Sequence, residues 1–523
     1  MKLLFVWPNK DSFGFKPIGL SLLSAIARRQ GWEVKLFDTT GIDLGFVDNT
    51  VSGESARIFK PVDLSPYSLK KEKIDLEASF SEALKSFKPD CLALTVLSDE
   101  YLIAERVTRA AKRIDPRLPV IWGGKYPTLN PEKTLTACQA DFACVGEGLD
   151  AFSEFLTALS GKAGPYAIPN IWAKKEGKVV KNKLRPLRLT LDDLPFVDWD
   201  IFDKRQFIKP FDGKVYVGGD HMSNWGCPYH CTYCINHFYH SLYDNKYTMR
   251  RYATGRIVKE LKSLKDKYKL EILRFHDEDF LMRPTENLAE FAQSYKDEVG
   301  LPFMIETNPK SVTAEKVRLL KEMNCVSASV AIESGDLQLR KKLLNRVDSE
   351  EDILRAFSLF KDAGIRTSSF NLLGVPHETR ETFMETVRLN KKAGAQYPSI
   401  GFFFPFEGTV LRDEAVRGGF FDPDSGDRVY RHDRPSLVFK GLKEQELIEM
   451  RNTFVLYVKL PESFWPFIKR SEGLDPVGVR LRKKILEIYE ETVWSNNGWY
   501  KESREAEFLQ ELKALSAEEK TCV

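Results

Sequence analysis

"SNWGCPYHCTYC", residues 223–234, sets Cys227, Cys231 and Cys234 in a C-x3-C-x2-C spacing just after a strand-like run at 214–218. Three of the chain's eight cysteines thus fall within eight of its 523 positions. Three chemistries draw cysteines together. Disulfides need an oxidising compartment and a partner for every thiol, which three close cysteines do not provide. Structural zinc takes four ligands and would recruit His230, His237 or His240 as the fourth. An iron-sulfur cubane is normally held by four thiolates; with three, one iron keeps an open position, suited to binding and reducing a substrate.

Downstream of the cysteines, strand-like runs at 271–275, 302–306, 326–332, 366–373 and 399–404 alternate with helical patterns. With 214–218 they make six βα units, which predicts an incomplete TIM-like barrel with the cysteines after its first strand, at the face where barrels keep their chemistry. Upstream, the runs 3–7, 34–37, 91–97, 119–122 and 141–145 alternate with helices near 18–30, 76–87, 100–113 and 131–138. That pattern predicts a five-stranded parallel sheet of the doubly wound, Rossmann-like (flavodoxin-like) kind, whose ligand loops are 8–17, 98–100, 123–127 and 146–148. Residues 41–75 form an irregular excursion, and from about 430 the pattern is mostly helical. The expected organisation is an N-terminal sheet domain at 1–160, a linker at 161–210, a partial (β/α)6 barrel at 211–425 and a helical C-terminal region at 426–523.

Charge narrows the function classes. The net charge of +3 comes from 78 basic and 75 acidic residues spread along the chain, so no basic arm points to nucleic acid. The apolar run Leu3–Trp7 is too short for a signal peptide, and no segment approaches a membrane span. Cys91, Cys138, Cys144, Cys325 and Cys522 are scattered without spacing, as free thiols in a reducing compartment are. A cytoplasmic enzyme is expected.

The cysteine spacing, with Tyr233 before the last cysteine and a partial barrel behind it, resembles the radical S-adenosylmethionine enzymes. "RFHDEDF" (274–280) is similar to the family's second-strand segment, which implies Glu278 and Asp279 near the methionyl amino group. "VAIESGDLQLRKKLLNR" (330–346) resembles the fourth-strand segment, which places Glu333 and Arg346 near the ribose and the methionyl carboxylate. "NLLGVPHET" (371–379), with Asn371 and Gly374, is similar to the glycine motif packed around the adenine, and "FFFPFEGT" (402–409) to the sixth-strand segment. One departure is visible: Asn224 and Trp225 stand where many relatives carry an Arg before Gly-Cys-Pro.

The sheet ahead of the barrel resembles the cobalamin-binding domain of the cobalamin-dependent members. "VIWGGKYPTLNPE" (120–132) and "DFACVGEGLDAFSEFL" (141–156) look like its fourth- and fifth-strand loops, which makes Gly123, Gly124, Lys125, Tyr126, Gly146, Glu147 and Gly148 cofactor contacts. All seven histidines lie beyond residue 220, so the sheet supplies no imidazole to cobalt; Phe13, Phe15, Ser98 or Asp99 would cover that face. The resemblance implies a [4Fe-4S] cluster, S-adenosylmethionine and cobalamin as cofactors. It also implies a methyltransferase that uses a 5′-deoxyadenosyl radical and methylcobalamin on an unactivated centre of a small-molecule, natural-product or lipid-type substrate, with flavodoxin or ferredoxin as reductant. A cyclase, ring-contraction or oxidative rearrangement enzyme with the same cofactors is the alternative, and a non-catalytic zinc-binding interaction protein is the alternative of another class. His276 reads as a loop histidine bonded to a neighbour, and "FFFPF" (402–406) and "SFWPFI" (463–468) as buried packing.

Overall fold

β1 (Lys2–Trp7) is buried at every position from Leu3 to Trp7, as expected of a strand covered on both faces. In this computed structural model, which describes residues 1–161, 164–246, 249–424, 430–502 and 504–517, β1 pairs in parallel with β2 (Glu33–Asp38) and β3 (Cys91–Thr95). Cys522 lies outside the described residues. β4 (Val120–Gly123) and β5 (Phe142–Cys144) extend the sheet to the order β2-β1-β3-β4-β5, so the strand order reverses between β1 and β3. Alternate residues serve opposite faces. Leu4, Val6, Leu92, Leu94 and Trp122 pack with helices Leu76–Phe87 and Tyr101–Ile114, and the indole N–H of Trp122 donates to Thr108 Oγ1 at 2.9 Å.

The sheet has seven strands rather than five. β6 (Ile171–Lys175) and β7 (Lys178–Val180) add antiparallel at its edge, from the stretch expected to be a linker. Their two-residue turn, Glu176-Gly177, has φ of 52° and 78°, a hairpin geometry that matches strand twist. The lysines of "AKKEGKVV" hide the strand alternation, yet they suit an edge that must not recruit another chain.

β8 (Ile208–Phe211) and β9 (Lys214–His221) form a second hairpin over Asp212-Gly213, again with positive φ at both residues. A two-residue ribbon, β10 (Asn224–Trp225) and β11 (Arg250–Arg251), follows, and β12 (Ile272–Phe275) lies parallel to β9. All these elements belong to one compact unit, made of Met1–Asp48, Val62–Glu278 and Phe406–Arg412.

The other unit comprises Asn49–Pro61, Asp279–Pro405 and Asp413–Val523. Within it β13 (Phe303–Thr307), β14 (Cys325–Glu333), β15 (Arg366–Leu373) and β16 (Tyr397–Phe402) pair in parallel in chain order. Helices Thr254–Tyr268, Thr285–Glu298, Ala314–Glu322, Glu350–Asp362 and Arg380–Ala393 fall between successive strands from β9 to β16. This is the six-strand alternation of a partial barrel. Phe402, Phe403 and Phe404 are buried, as expected for barrel core, and Phe464 and Ile468 are fully buried in the C-terminal packing.

Among the C-terminal helices, Glu444–Lys459 ends on a buried cation. Lys459 Nζ donates to Ala395 O at 3.0 Å and lies 4.8 Å from the Trp499 ring centre. Burial, with the Lys391 charge nearby, depresses its pKa from 10.5 to about 7. The unfolded chain holds that proton up to its ordinary pKa, so folding releases it between about pH 7 and 10.5, and stability rises with pH across that window. Lys459→Met should therefore flatten this rise and lift the thermal midpoint at pH 7.5 by a few degrees, as read by calorimetry from pH 7 to 10.

Candidate active site

The cysteine loop begins where β9 ends. Asp277, fully buried, accepts the backbone N–H groups of Ser223 (3.1 Å) and Asn224 (2.5 Å) and the Ser223 hydroxyl (2.7 Å), which pins the start of the loop. Gly226 then takes φ of 91°, a conformation that a side chain would strain. Cys227 and Cys231 are buried and Cys234 half-buried, with Tyr233 half-buried beside it. Burial raises the Cys227 and Cys234 thiols, the latter to about 12, and the exposed Glu278 carboxylate raises both further. Lys125, from the 123–127 loop, acts on Cys234 in the opposite sense. Buried thiols of this kind become thiolates only with a cationic metal group to compensate them.

Among the described residues, no three His, Cys, Asp or Glu groups converge as a single metal ion requires. The histidines considered as a fourth zinc ligand hold the loop: His240 Nε2 lies 2.8 Å from Cys227 O, and His237 Nδ1 3.2 Å from His230 O.

Beyond the carboxyl ends of β3, β4 and β5 lies a cavity of about 180 Å³ in the same unit, lined by Gly19, Ala93, Gly123, Cys144, Gly148 and Trp225 among others. Its glycines do different jobs. A Cβ on Gly123 would meet nothing closer than 3.9 Å, so this glycine leaves room for a ligand. On Gly124, at φ of 102°, a Cβ would stand 2.8 Å from Val96 O, and on Gly146 it would stand 2.3 Å from the Tyr243 hydroxyl; protein neighbours impose these two. Thr128 joins the two loops, donating to Gly124 O (2.8 Å) and accepting from Gly146 N (3.0 Å).

The other sheet residues expected at the cofactor divide. Tyr126 is 1% exposed and stacks on Tyr101 at 4.7 Å, so it is core and presents no surface to a ligand. Glu147 is held by Arg250 in a two-pronged ion pair. Asp99 is paired with the buried Lys10 at 3.2 Å. Phe13 lies under the Arg205 guanidinium, and Ser98 is half-buried after β3. Phe15 is exposed, with Trp7 at 6.3 Å and His276 at 5.1 Å. The partner of His276 is Asp220, at 2.8 Å from Nε2, rather than the adjacent Asp277.

The second unit holds the remaining residues of the S-adenosylmethionine segments. Glu333 ends β14 at φ of 66°, a strained conformation of the sort proteins keep at functional sites. Arg346 returns to that strand, donating to Ala331 O (3.0 Å) while paired with Asp348 (2.8 Å). A widened helical turn, Leu344 N to Leu339 O, makes the return possible. Gly374, at φ of 74°, donates to Glu378, whose buried carboxyl is raised to about 7 by desolvation. Two of the expected residues are engaged by protein partners. Asn371 spends its amide on Ser369, Asn390 and Ser399 O inside the sheet. Asp279, 1% exposed, accepts the Thr307 and Ser311 hydroxyls at 2.7 and 2.5 Å and ties down the loop after β13. Arg250 was not anticipated, since a two-residue ribbon has no periodicity to detect.

Residues 225–389 match the radical SAM superfamily, and residues 62–156 the B12 binding domain. The chain is 24% identical over 451 residues to cytidylyl-2-hydroxyethylphosphonate methyltransferase of Streptomyces wedmorensis, covering 79% of this chain and 80% of that one. It is also 24% identical over 430 residues to anaerobic magnesium-protoporphyrin IX monomethyl ester cyclase of Rubrivivax gelatinosus, covering 79% and 70%. The fold is that of TsrM from Kitasatospora setae, a radical S-adenosylmethionine methyltransferase solved with cobalamin and a [4Fe-4S] cluster: TM-score 0.63, 15% identity, 99% of both chains. The two matched regions fall on the glycine-lined sheet and on the cysteine loop with the strands that follow it, so the chain carries a B12 binding region and a radical SAM region.

Proposed function

We propose that this enzyme transfers a methyl group to an unactivated carbon or phosphorus centre of a small-molecule substrate, with a flavodoxin or ferredoxin as electron donor. One observation carries the reading: the stretch that leads into the cysteines supplies a wall of the cavity at the glycine-lined strand ends. Trp225 lines the cavity two positions before Cys227, and Lys125 of the glycine loop acts on the Cys234 thiol. When bound, the [4Fe-4S] cluster and S-adenosylmethionine supply substrate activation, and cobalamin supplies the methyl group.

The chain's own residues position and exclude. Cys227, Cys231 and Cys234 would hold three irons and leave the fourth to S-adenosylmethionine. Glu278, exposed beside the thiols, suits the methionyl amino group. The largely apolar walls around Gly123 suit a carbon-rich part of the corrinoid. The cyclase relative favours a second reading, radical chemistry without methyl transfer. Among the described residues no helix is long and apolar enough to cross a membrane.

Reconstituted, reduced enzyme given cobalamin, S-adenosylmethionine and cell extract should form 5′-deoxyadenosine and S-adenosylhomocysteine together, measured by mass spectrometry. 5′-Deoxyadenosine alone would favour the second reading. Cys231→Ala should lose the cluster's visible absorbance and all 5′-deoxyadenosine formation. Gly123→Val should leave iron and sulfide content unchanged while weakening cobalamin binding by about tenfold or more, by overfilling the cavity; gel filtration followed by absorbance and iron analysis reads both quantities.

A further inference from the structure

We propose that the Trp225 indole N–H donates a hydrogen bond to the nucleotide arm of the bound corrinoid, so that the loop carrying the cluster cysteines distinguishes a complete corrinoid from one lacking that arm. The inference rests on the reading of the cavity as the cobalamin site.

Size decides what enters. At about 180 Å³ the cavity is smaller than sites that enclose a drug-sized ligand, and a corrin macrocycle does not fit. Only a projecting arm can occupy it. A corrinoid carries short amide arms and one long arm ending in phosphate, ribose and a base, and the long arm brings the stronger hydrogen-bond acceptors.

Most of the lining is apolar or glycine: Phe5, Leu23, Ile121 and Phe152 contribute carbon, Thr95 and Cys144 add a hydroxyl and a thiol, and the Glu147 carboxylate is already held by Arg250. Trp225 stands out. Its Nε1 is buried and has no hydrogen-bond partner among the described residues. An indole N–H can only donate, and a buried one without an acceptor is uncommon in a native protein. The same ribbon leaves Asn224, 1% exposed, with neither Oδ1 nor Nδ2 hydrogen-bonded.

The ribbon also holds the indole in place. Trp225 pairs with Arg250 across β10 and β11, and Arg250 grips Glu147 and donates to Arg188 O at 2.9 Å. Tyr252 meets the indole edge-on, 6.5 Å between ring centres. The ring that lines the cavity is therefore fixed, and Gly226 and Cys227 follow directly in the chain.

The test measures equilibrium binding of hydroxocobalamin and of cobinamide, which lacks the nucleotide arm, to full-length anaerobically reconstituted protein, by ultrafiltration and absorbance. Trp225→Phe keeps the ring and removes the donor. It should weaken hydroxocobalamin binding about five- to tenfold and leave cobinamide within about twofold of wild type. Trp225→His, which restores a ring N–H, should recover part of the preference for the complete corrinoid. Equal loss for both ligands, or none for either, overturns the assignment of the donor. Wild-type protein that binds neither corrinoid overturns the cavity reading, and the proposal with it.

Discussion

A fully buried carboxylate, Asp220, joins the first loop of the N-terminal sheet to the first strand of the barrel. On β9, it is 2.7 Å from Lys209, 3.1 Å from Lys16 and 2.8 Å from His276 Nε2. Lys16 comes from the loop after β1 and also donates to Gln206 O and Gly218 O, both at 3.0 Å. Its burial lowers the lysine to about 8, while the surrounding cations hold Asp220 well below the usual carboxylate range. Removing one member of such a group strands the others without water, at a cost of about 3–5 kcal/mol. The arrangement therefore locks the β1 loop to β9, and with it the distance from the cofactor sheet to the strand that launches the cysteines.

A second buried carboxylate, Asp277, works one step further along. It takes the backbone N–H groups at the start of the cysteine loop, where secondary structure has ended and the donors would otherwise be unpaired. The sequence run His276-Asp277-Glu278 thus serves three purposes with adjacent residues: His276 faces Asp220, Asp277 organises the loop, and Glu278 remains exposed beside the thiols.

Much of this was legible in the residues. The two αβ series, the six barrel strands and the three cysteines follow from periodicity and spacing, since parallel strands buried on both faces must be continuous apolar runs. Pair-level roles were not legible. Asp279 resembles a ligand residue by position, yet its carboxylate is consumed by two hydroxyls; Tyr126 sits in a ligand loop, yet its ring is core. The hairpin at 171–180 was hidden because its lysines mask the alternation that marks a strand.

By itself the sequence determined the classes of chemistry: thiolates spaced for a cluster, glycines at strand ends, and no histidine within the first 220 residues to ligate cobalt. Only the tertiary structure decided which of those residues are free to act. Whether a carboxylate, an amide or an indole N–H can meet a ligand depends on whether another part of the fold has already satisfied it. Those partners lie tens to hundreds of positions away, as Lys16 does from Asp220 and Glu147 from Arg250. Hydrogen bonding is a pairwise, short-range requirement, and spacing along the chain carries no record of it until the strands have been brought together.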